Sequence, residues 1–468
     1  MSTDIRFGTD GWRAEIGFGF NEGNLKRLMH SVGKRVNDMV EGRAHVCVGY
    51  DTRFQAKEFA SIAVECLISE GCHALLSQNF CPTPSLSLGV MKTEADLGVQ
   101  ITASHNPYTY LGVKLKGPNG GPLKTGIISQ IESEIESEVF EDSEKRLRPH
   151  VPKDFNQIYR ETIENLIDFD FLKKDKQNIY VDFMHGAQMD LFKNIFINSG
   201  NMNIFYLRDS RDSTFGNITP EPIPSNLKML SDSVLSSRRE SIGLAFDGDG
   251  DRFAFCDERG EVLWPQETFA IIADILMKEE KGNIAKSLPT SIWLNRLAKK
   301  HKVDIYETPV GFKYLSDYLD TGKALIAGEE SGGVGFSFHI PERDGLLASL
   351  KIIEYLAKKK KTLRSLRKDL RANYGDFHYE RRDMKVSDSI VDNVKKDPEQ
   401  YLSKLSKEFG ISKNKINTAD GIKLNLKNDN WVMARASGTE PVLRLYCESD
   451  KKDHISLIFS RLEKVLFE

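Results

Sequence analysis

Three aspartates alternate with glycines in Asp247-Gly248-Asp249-Gly250-Asp251, followed at once by Arg252. At about 4 Å and an effective dielectric near 20, each carboxylate pair repels by about 4 kcal/mol, so three crowded together call for a cation. Hard oxygen ligands suit Mg²⁺ or Ca²⁺, and three protein carboxylates leave coordination positions for a phosphate. An EF-hand loop would need glycine at its sixth position, which here is Arg252, and helical flanks, whereas IGLAF and FAFCD read as strands. A haloacid-dehalogenase-type phosphatase would need Thr or Val where Asp251 stands.

A second stretch, TASHNPYTYLGVK (102–114), sets Ser104 beside His105. Neighbouring residues on a strand or loop point different ways, and no GxSxG elbow is present, so His105 is badly placed as a base for Ser104. A serine facing three aspartates makes sense as a phosphate carrier whose charge a metal screens. RASGTEPVLR offers Arg435 and Arg444 for bidentate phosphate contact. Its Ser437-Gly438-Thr439 turn supplies backbone and hydroxyl donors. GEESGG places Glu329, Glu330 and Ser331 on a glycine-rich turn, where carboxylates can accept hydrogen bonds from sugar hydroxyls.

Each of these four loops follows a short apolar run: LGVQIT, IGLAF, ALIAG or NWVMA. Ligands of open α/β sheets bind beyond the carboxyl ends of strands, so the four loops are expected to line one cleft. The surrounding patterns agree. NLKRLMHSVGKRVNDMV and AKEFASIAVECLISEG have helical spacing, while HVCVGYD and ADLGVQITAS read as strands. Such alternation predicts a parallel sheet with helices on both faces. The pattern restarts at NIYVDFMHGA (178–187) and at SLPTSIWLN (287–295), each read as the first strand of a new unit. GLLASLKIIEYLAKKKKTLRSLRKDL reads as a helix with the lysine run Lys358 to Lys361 solvated. Beyond about residue 372 a smaller module follows, with a strand pair around IKLNLKNDNWVMARAS and a closing amphipathic helix HISLIFSRLEKVLF. The expected domains are 1–152, 153–257, 258–372 and 373–468: three α/β units and an α+β cap.

The 468 residues are 40% hydrophobic and 28% charged with a net charge of −3, the profile of a globular protein rather than a nucleic-acid binder. No apolar run reaches membrane-spanning length. The start, MSTDIRFGTDGWR, lacks a signal-peptide layout, so a cytoplasmic protein is expected. The six cysteines form no CxxC pair and read as buried hydrophobes.

The order and spacing of TASHNP, DGDGDR, GEESGG and RASGTEP resemble those of the α-D-phosphohexomutases, with FGTDGWR, YDTR, VDFMHGA and TPVGFK similar as well. The resemblance covers essentially the whole chain. It implies four domains in a heart shape around a central cleft, three of them α/β with mixed or parallel sheets. It also implies a phosphoserine at Ser104 and Mg²⁺ held by Asp247, Asp249, Asp251 and the Ser104 phosphate. Arg13 and Lys114 would meet the reacting phosphate, with Lys114 an acid/base candidate. His105 would be a loop-structuring or phosphate-side residue, and Arg252 would sit beside the metal. Gly311, Lys313, Glu329, Ser331 and Arg343 would face the sugar. Arg435, Ser437, Gly438, Thr439 and Arg444 would hold the other phosphate. The implied reaction interconverts hexose 1- and 6-phosphates through a hexose 1,6-bisphosphate, with glucose favoured and mannose as a further substrate. Phosphoglucosamine mutase and glucose-1,6-bisphosphate synthase are the alternatives on this fold, and a non-enzymatic Ca²⁺-binding protein is the alternative off it. The expected partners are small sugar phosphates, with no nucleic acid or membrane, and the expected state is a monomer or weak homodimer.

Overall fold

The computed structural model describes residues 5–135, 151–197, 200–436 and 442–467. These form four sheets in chain order. The first runs Trp12–Glu15, Tyr110–Lys116, Leu97–Ile101, His45–Tyr50, His73–Ser77 and Val151–Lys153. Its inner and far strands are parallel. Its near edge is antiparallel, because the chain leaves Leu97–Ile101 through the Ser104 loop and returns beside it as Tyr110–Lys116. The sheet is therefore mixed. Val151–Lys153 spans the boundary expected at residue 152.

The second sheet runs Phe253–Cys256, Ser241–Phe246, Asn178–Asp182 and Asn203–Leu207. Its first pair is an antiparallel hairpin and the rest is parallel. The third runs Ile305–Thr308, Ile284–Ser287, Ile326–Gly328 and Val334–Phe336, with only the last pair antiparallel. The fourth is fully antiparallel: His378–Lys385, Val442–Ser449, Trp431–Ala436, Ile422–Asn425 and Ile416–Asn417. One face of the fourth sheet packs on helix His454–Phe467 through Val432, Leu445, Phe459 and Leu462. The opposite face carries Trp431, Met433 and Tyr446 against Leu288 of the third domain. The second and third sheets share one apolar core that joins Phe246 and Phe255 to Phe269, Phe336 and Leu350.

Two expected elements differ. SLPTSIWLN is not a strand. The strand lies earlier, at Ile284–Ser287, and Ser291 caps a helix over Ile292–His301 by accepting the Trp293 N–H. The apolar Ile292, Trp293 and Leu294 belong to that helix, whose period a short window cannot separate from that of a buried strand. The run from Gly345 is two helices, Gly345–Lys359 and Leu363–Tyr374. Lys360 takes a left-handed conformation (φ 50°), and Thr362 opens the second helix with a capping box to Ser365. Among the described residues, no helix is long and apolar enough to cross a membrane.

The seam between the third and fourth domains is polar as well as apolar. Fully buried Glu448 accepts hydrogen bonds from Ser291 Oγ, the Ile292 N–H (2.8 Å) and Trp431 Nε1 (2.7 Å). Replacing Glu448 by Ala strands three donors, two of them buried, and a loss of about 3 kcal/mol is expected. Urea denaturation measures it, and a change within about 0.5 kcal/mol, the range of an ordinary surface substitution, would contradict this account of the seam.

Candidate active site

The Ser104 loop is shaped by a buried guanidinium. Arg53 is fully buried and donates to four backbone carbonyls: Ser104 (2.6 Å), Asn106 (2.8 Å), Pro107 (2.9 Å) and Tyr110 (3.1 Å). Asp51 lies 3.3 Å from Arg53 Nε and accepts from Thr102 Oγ1 (2.6 Å). Burial pushes Asp51 up to about 6 in spite of that charge. Thr102 Oγ1 in turn accepts the Ser104 N–H at 2.8 Å. Ser104 itself has φ 52°, a left-handed conformation that costs a non-glycine residue about 1–3 kcal/mol and persists only where its surroundings over-determine it. These donors are what over-determine it. The result points Ser104 Oγ at Asp247 Oδ2, 2.9 Å away. Among the described residues that carboxylate, not His105, is the partner of Ser104.

The two loops meet backbone to backbone. A Cβ on Gly248 would lie 2.4 Å from the Ser104 carbonyl oxygen, so only glycine permits this approach. Asp247, Asp249 and Asp251 are all fully buried, and one oxygen from each falls within 4.8 Å of the others. The flanks are strands, as the sequence predicts, and they pair as a hairpin, which rules out the helix–loop–helix of an EF-hand. Thr83 holds Asp249 through its N–H to the Asp249 carbonyl (2.9 Å) and its hydroxyl to Oδ2. The Arg252 N–H donates to Asp247 Oδ1 at 3.2 Å.

Positive charge comes from other domains. Lys114 Nζ lies 2.7 Å from Asp249 Oδ2, 2.7 Å from Asp251 Oδ2 and 3.0 Å from Asp10 Oδ2. Burial works against the ammonium, but these carboxylates prevail and raise its pKa above the ordinary lysine value. Burial also opposes ionisation of Asp10 and Asp249, yet Arg343 and Lys114 hold Asp10 well below the usual carboxylate range, and Lys114 lowers Asp249. Asp247 goes the other way: burial, then the charges of Asp251 and Asp249, push it well above. Among the described residues, Asp249 Oδ1 and Asp251 Oδ1 are buried without a hydrogen-bond partner. Unpartnered buried carboxylate oxygens, beside a carboxylate that its neighbours push toward protonation, fit an oxygen-ligated divalent cation.

Arg343 joins three domains. Its Nη2 lies 2.6 Å from Asp10 and 2.9 Å from Asp251, its Nη1 3.5 Å from Glu329, and its Nε 3.2 Å from Glu342. Glu329 Oε1 accepts the Gly311 N–H at 3.0 Å, and burial raises the Glu329 pKa. Glu330 accepts from Tyr379 OH of the fourth domain at 2.7 Å. Arg13 donates to Asn106 Oδ1 (2.8 Å) and faces Asp10 (3.4 Å). In the fourth sheet Arg435 and Arg444 stand directly opposite each other on neighbouring strands. Like charges so paired are destabilising unless an anion meets them. Arg435 has Asp420 at 2.8 Å, whereas Arg444 Nε lies 3.8 Å from Asp383 and, among the described residues, is buried with no hydrogen-bond partner.

A cleft of about 280 Å³ lies beside these groups; the buried Ser104, Lys114, Asp247, Asp249 and Asp251 are not in its lining. It is lined by Asp10, Arg13 and His105; by Glu221 and Arg252; by Gly311, Glu329, Ser331 and Arg343; and by Arg381, Arg435, Arg444 and Tyr446. All four domains contribute. Burial, then Arg252 and Arg13, hold His105 well below the usual imidazole range, so its ring is neutral. Lys313 is not part of the lining, and its Nζ lies 5.3 Å from the centre of the Tyr314 ring. Ser437, Gly438 and Thr439 lie outside the described residues. Sequence reasoning gave no role to Asp10, Arg53, Thr83 or Arg381. FGTDGWR and YDTR flagged the first two as motif residues, but a motif does not show which distant carbonyl or carboxylate a charge will meet.

Replacing Arg53 by Ala leaves four carbonyls and Asp51 without their buried cation, and a loss of about 3–5 kcal/mol is expected. Arg53→Lys should recover little, since an ammonium cannot span a planar fork of acceptors. Thermal unfolding together with amide exchange over residues 104–110 reads both effects; a lysine variant as stable as the parent would be inconsistent with the clamp.

The four domains correspond in order to four family profiles. Phosphoglucomutase/phosphomannomutase alpha/beta/alpha domains I, II and III match residues 4–142, 157–260 and 264–374, and the C-terminal domain matches 390–465. The chain is 31% identical to a phosphoglucomutase/phosphomannomutase of Thermococcus kodakarensis, across 91% of this chain and 92% of the relative. It is 30% identical to a "Probable phosphoglucosamine mutase" of Methanosphaera stadtmanae, across 97% and 96%. A crystal structure described as a "putative phosphomannomutase" from Thermus thermophilus superposes with a TM-score of 0.86 at 29% identity, covering 100% of both chains. With its four sheets, its cleft and these likenesses over nearly all its length, the chain belongs to the phosphoglucomutase/phosphomannomutase family of intramolecular phosphotransferases.

Proposed function

We propose that this protein interconverts hexose 1-phosphate and hexose 6-phosphate, with glucose the preferred sugar, through a phosphorylated Ser104. The observation that carries this reading is Ser104 Oγ, buried 2.9 Å from Asp247, beside a cleft that its neighbours His105 and Asn106 line together with the opposed Arg435 and Arg444. One site holds and transfers a phosphoryl group while the other grips a second phosphate. The free hydroxyl of a bound hexose monophosphate attacks the phosphorus on Ser104. The P–Oγ bond breaks, the attacking hydroxyl gives up its proton, Ser104 Oγ ends protonated, and a hexose 1,6-bisphosphate forms. After the sugar turns, its other phosphoryl group passes back to Ser104 Oγ and the isomeric monophosphate leaves. Such transfer depends on alignment and charge neutralisation more than on covalent help.

Lys114, whose ammonium lies among Asp10, Asp249 and Asp251, is an electrostatic partner of the transferring group and the acid/base candidate of the site. Arg13 and Arg252 face the transferring group, and neutral His105 completes that wall. Glu329 and Ser331 accept from and orient sugar hydroxyls, beside the Gly311 turn and Arg343. Asp247, Asp249, Asp251 and the Ser104 oxygen would hold Mg²⁺, which supplies Lewis-acid neutralisation of phosphoryl charge when bound. The GEESGG loop, with Glu330 and Gly333, supports glucose over glucosamine.

Turnover of glucose 1-phosphate with Mg²⁺ should exceed that of mannose and glucosamine 1-phosphates in kcat/KM; a wide margin for glucosamine would refute the sugar assignment. Ser104→Ala should abolish both turnover and the phosphoryl mass on the intact protein. Because burial and neighbouring charges raise the Asp247 pKa, Mg²⁺ binding should release a proton there, and affinity should rise with pH. Calorimetry in two buffers of different ionisation heat tests this, and identical heats would argue against it.

A further inference from the structure

The phosphate grip and the sugar grip are tied together by a carboxylate outside both. Asp420 Oδ2 accepts the Val310 N–H of the third domain at 2.8 Å and Arg435 Nε of the fourth at 2.8 Å. The next amide, Gly311 N–H, donates to Glu329 Oε1 at 3.0 Å. Arg435, Asp420, the Val310–Gly311 backbone and Glu329 thus form one line of hydrogen bonds along the cleft wall.

Two glycines fix this line. Gly311 has φ 132°, which turns successive amides toward two different carboxylates, and its missing Cβ would meet nothing closer than 3.7 Å. The residue is glycine for its backbone, not for space. Gly421 has φ 90°, and a Cβ there would lie 2.4 Å from the Ala434 carbonyl oxygen. That turn presses Asp420 against the strand Trp431–Ala436 that carries Arg435. Asp420 therefore moves with the fourth domain, while its second partner belongs to the third.

We propose that Asp420 is a positioning residue that sets the span between the phosphate-gripping arginine and the sugar-gripping glutamate. A counter-ion for Arg435 alone would not need the Val310 amide. Because a single oxygen serves both partners, displacement of Arg435 pulls on the 308–313 loop and through it on Glu329. The span selects for a ligand that carries its phosphate and its hydroxyls at one fixed separation. This inference rests on the hexose-phosphate reading above.

The test compares the full-length protein with Asp420→Ala, Asp420→Asn, Glu329→Gln and the Asp420→Ala/Glu329→Gln double variant. The readouts are kcat and KM for glucose 1-phosphate and the affinity for inorganic phosphate. Asp420→Ala should raise KM about tenfold, the equivalent of about 1.4 kcal/mol, with kcat held within about twofold. Asp420→Asn, which keeps an acceptor for Val310, should raise it about threefold. Inorganic phosphate, which does not span the two grips, should bind no more weakly. In the Glu329→Gln background the Asp420→Ala effect should shrink to less than about threefold, since linked residues are not additive. An unchanged KM, full additivity, or a loss of phosphate affinity equal to the rise in KM would overturn the proposal. If Asp420→Ala does not fold, an unchanged KM in Asp420→Asn overturns it alone. A parent protein inert toward every hexose 1-phosphate sinks the mutase reading instead, and the same cycle is then read on the calorimetric Kd of glucose 1-phosphate.

Discussion

Three buried carboxylates cannot share one loop without positive charge beside them, and the source of that charge organises the molecule. Each ion moved out of water costs several kcal/mol unless a partner meets it. Asp249 and Asp251 take Lys114 from the first domain, and Asp251 also takes Arg343 from the third. Asp10 from the first domain then bridges Lys114 and Arg343. No single domain can satisfy its own charges. The site is assembled only when the domains are, and the loop of three aspartates is the one that Ser104 Oγ faces.

The short segment Glu342-Arg343-Asp344 shows how far this goes. All three residues are almost wholly buried. Glu342 pairs with Lys116 of the first domain. Arg343 reaches Asp10 and Asp251. Asp344 accepts from Tyr159 OH at 2.7 Å, lies 3.0 Å from His339 Nε2, and caps helix Gly345–Lys359. Three consecutive side chains thus fix the third domain against its neighbours while one of them lines the cleft. Structural and functional charge are the same residues here, which is why neither can be read in isolation.

The parts legible in the sequence are those fixed by local pattern. The four loops stand out because glycine, hydroxyl and carboxylate residues follow apolar runs, and the strands and most helices follow from periodicity. Where a window is short and apolar, as at Ile292-Trp293-Leu294, period cannot decide, and the strand lies earlier than the apolar run suggests. Where lysines favour a continuous helix, the left-handed turn at Lys360 breaks it. Arg53 carries no legible role because its four hydrogen-bond acceptors are backbone carbonyls, which look alike in every sequence, and Asp420 because one of its partners is a backbone amide of another domain. Lys313 shows the converse: the motif around it is plain, yet its ammonium lies over Tyr314 rather than in the cleft lining.

The second and third domains share one apolar core, so parting them would expose apolar area at about 25 cal/mol per Å². The fourth domain is joined differently, through Glu448, Asp420, and Arg296 with Asp429 (2.8 Å), around a small apolar cluster. Hydrogen bonds of that kind exchange for water at a net cost of about 0.5–1.5 kcal/mol each. The molecule is therefore built as an anvil with a clasp: the seam held mainly by bonds that exchange for water is the one between the third domain and the sheet that carries Arg435 and Arg444.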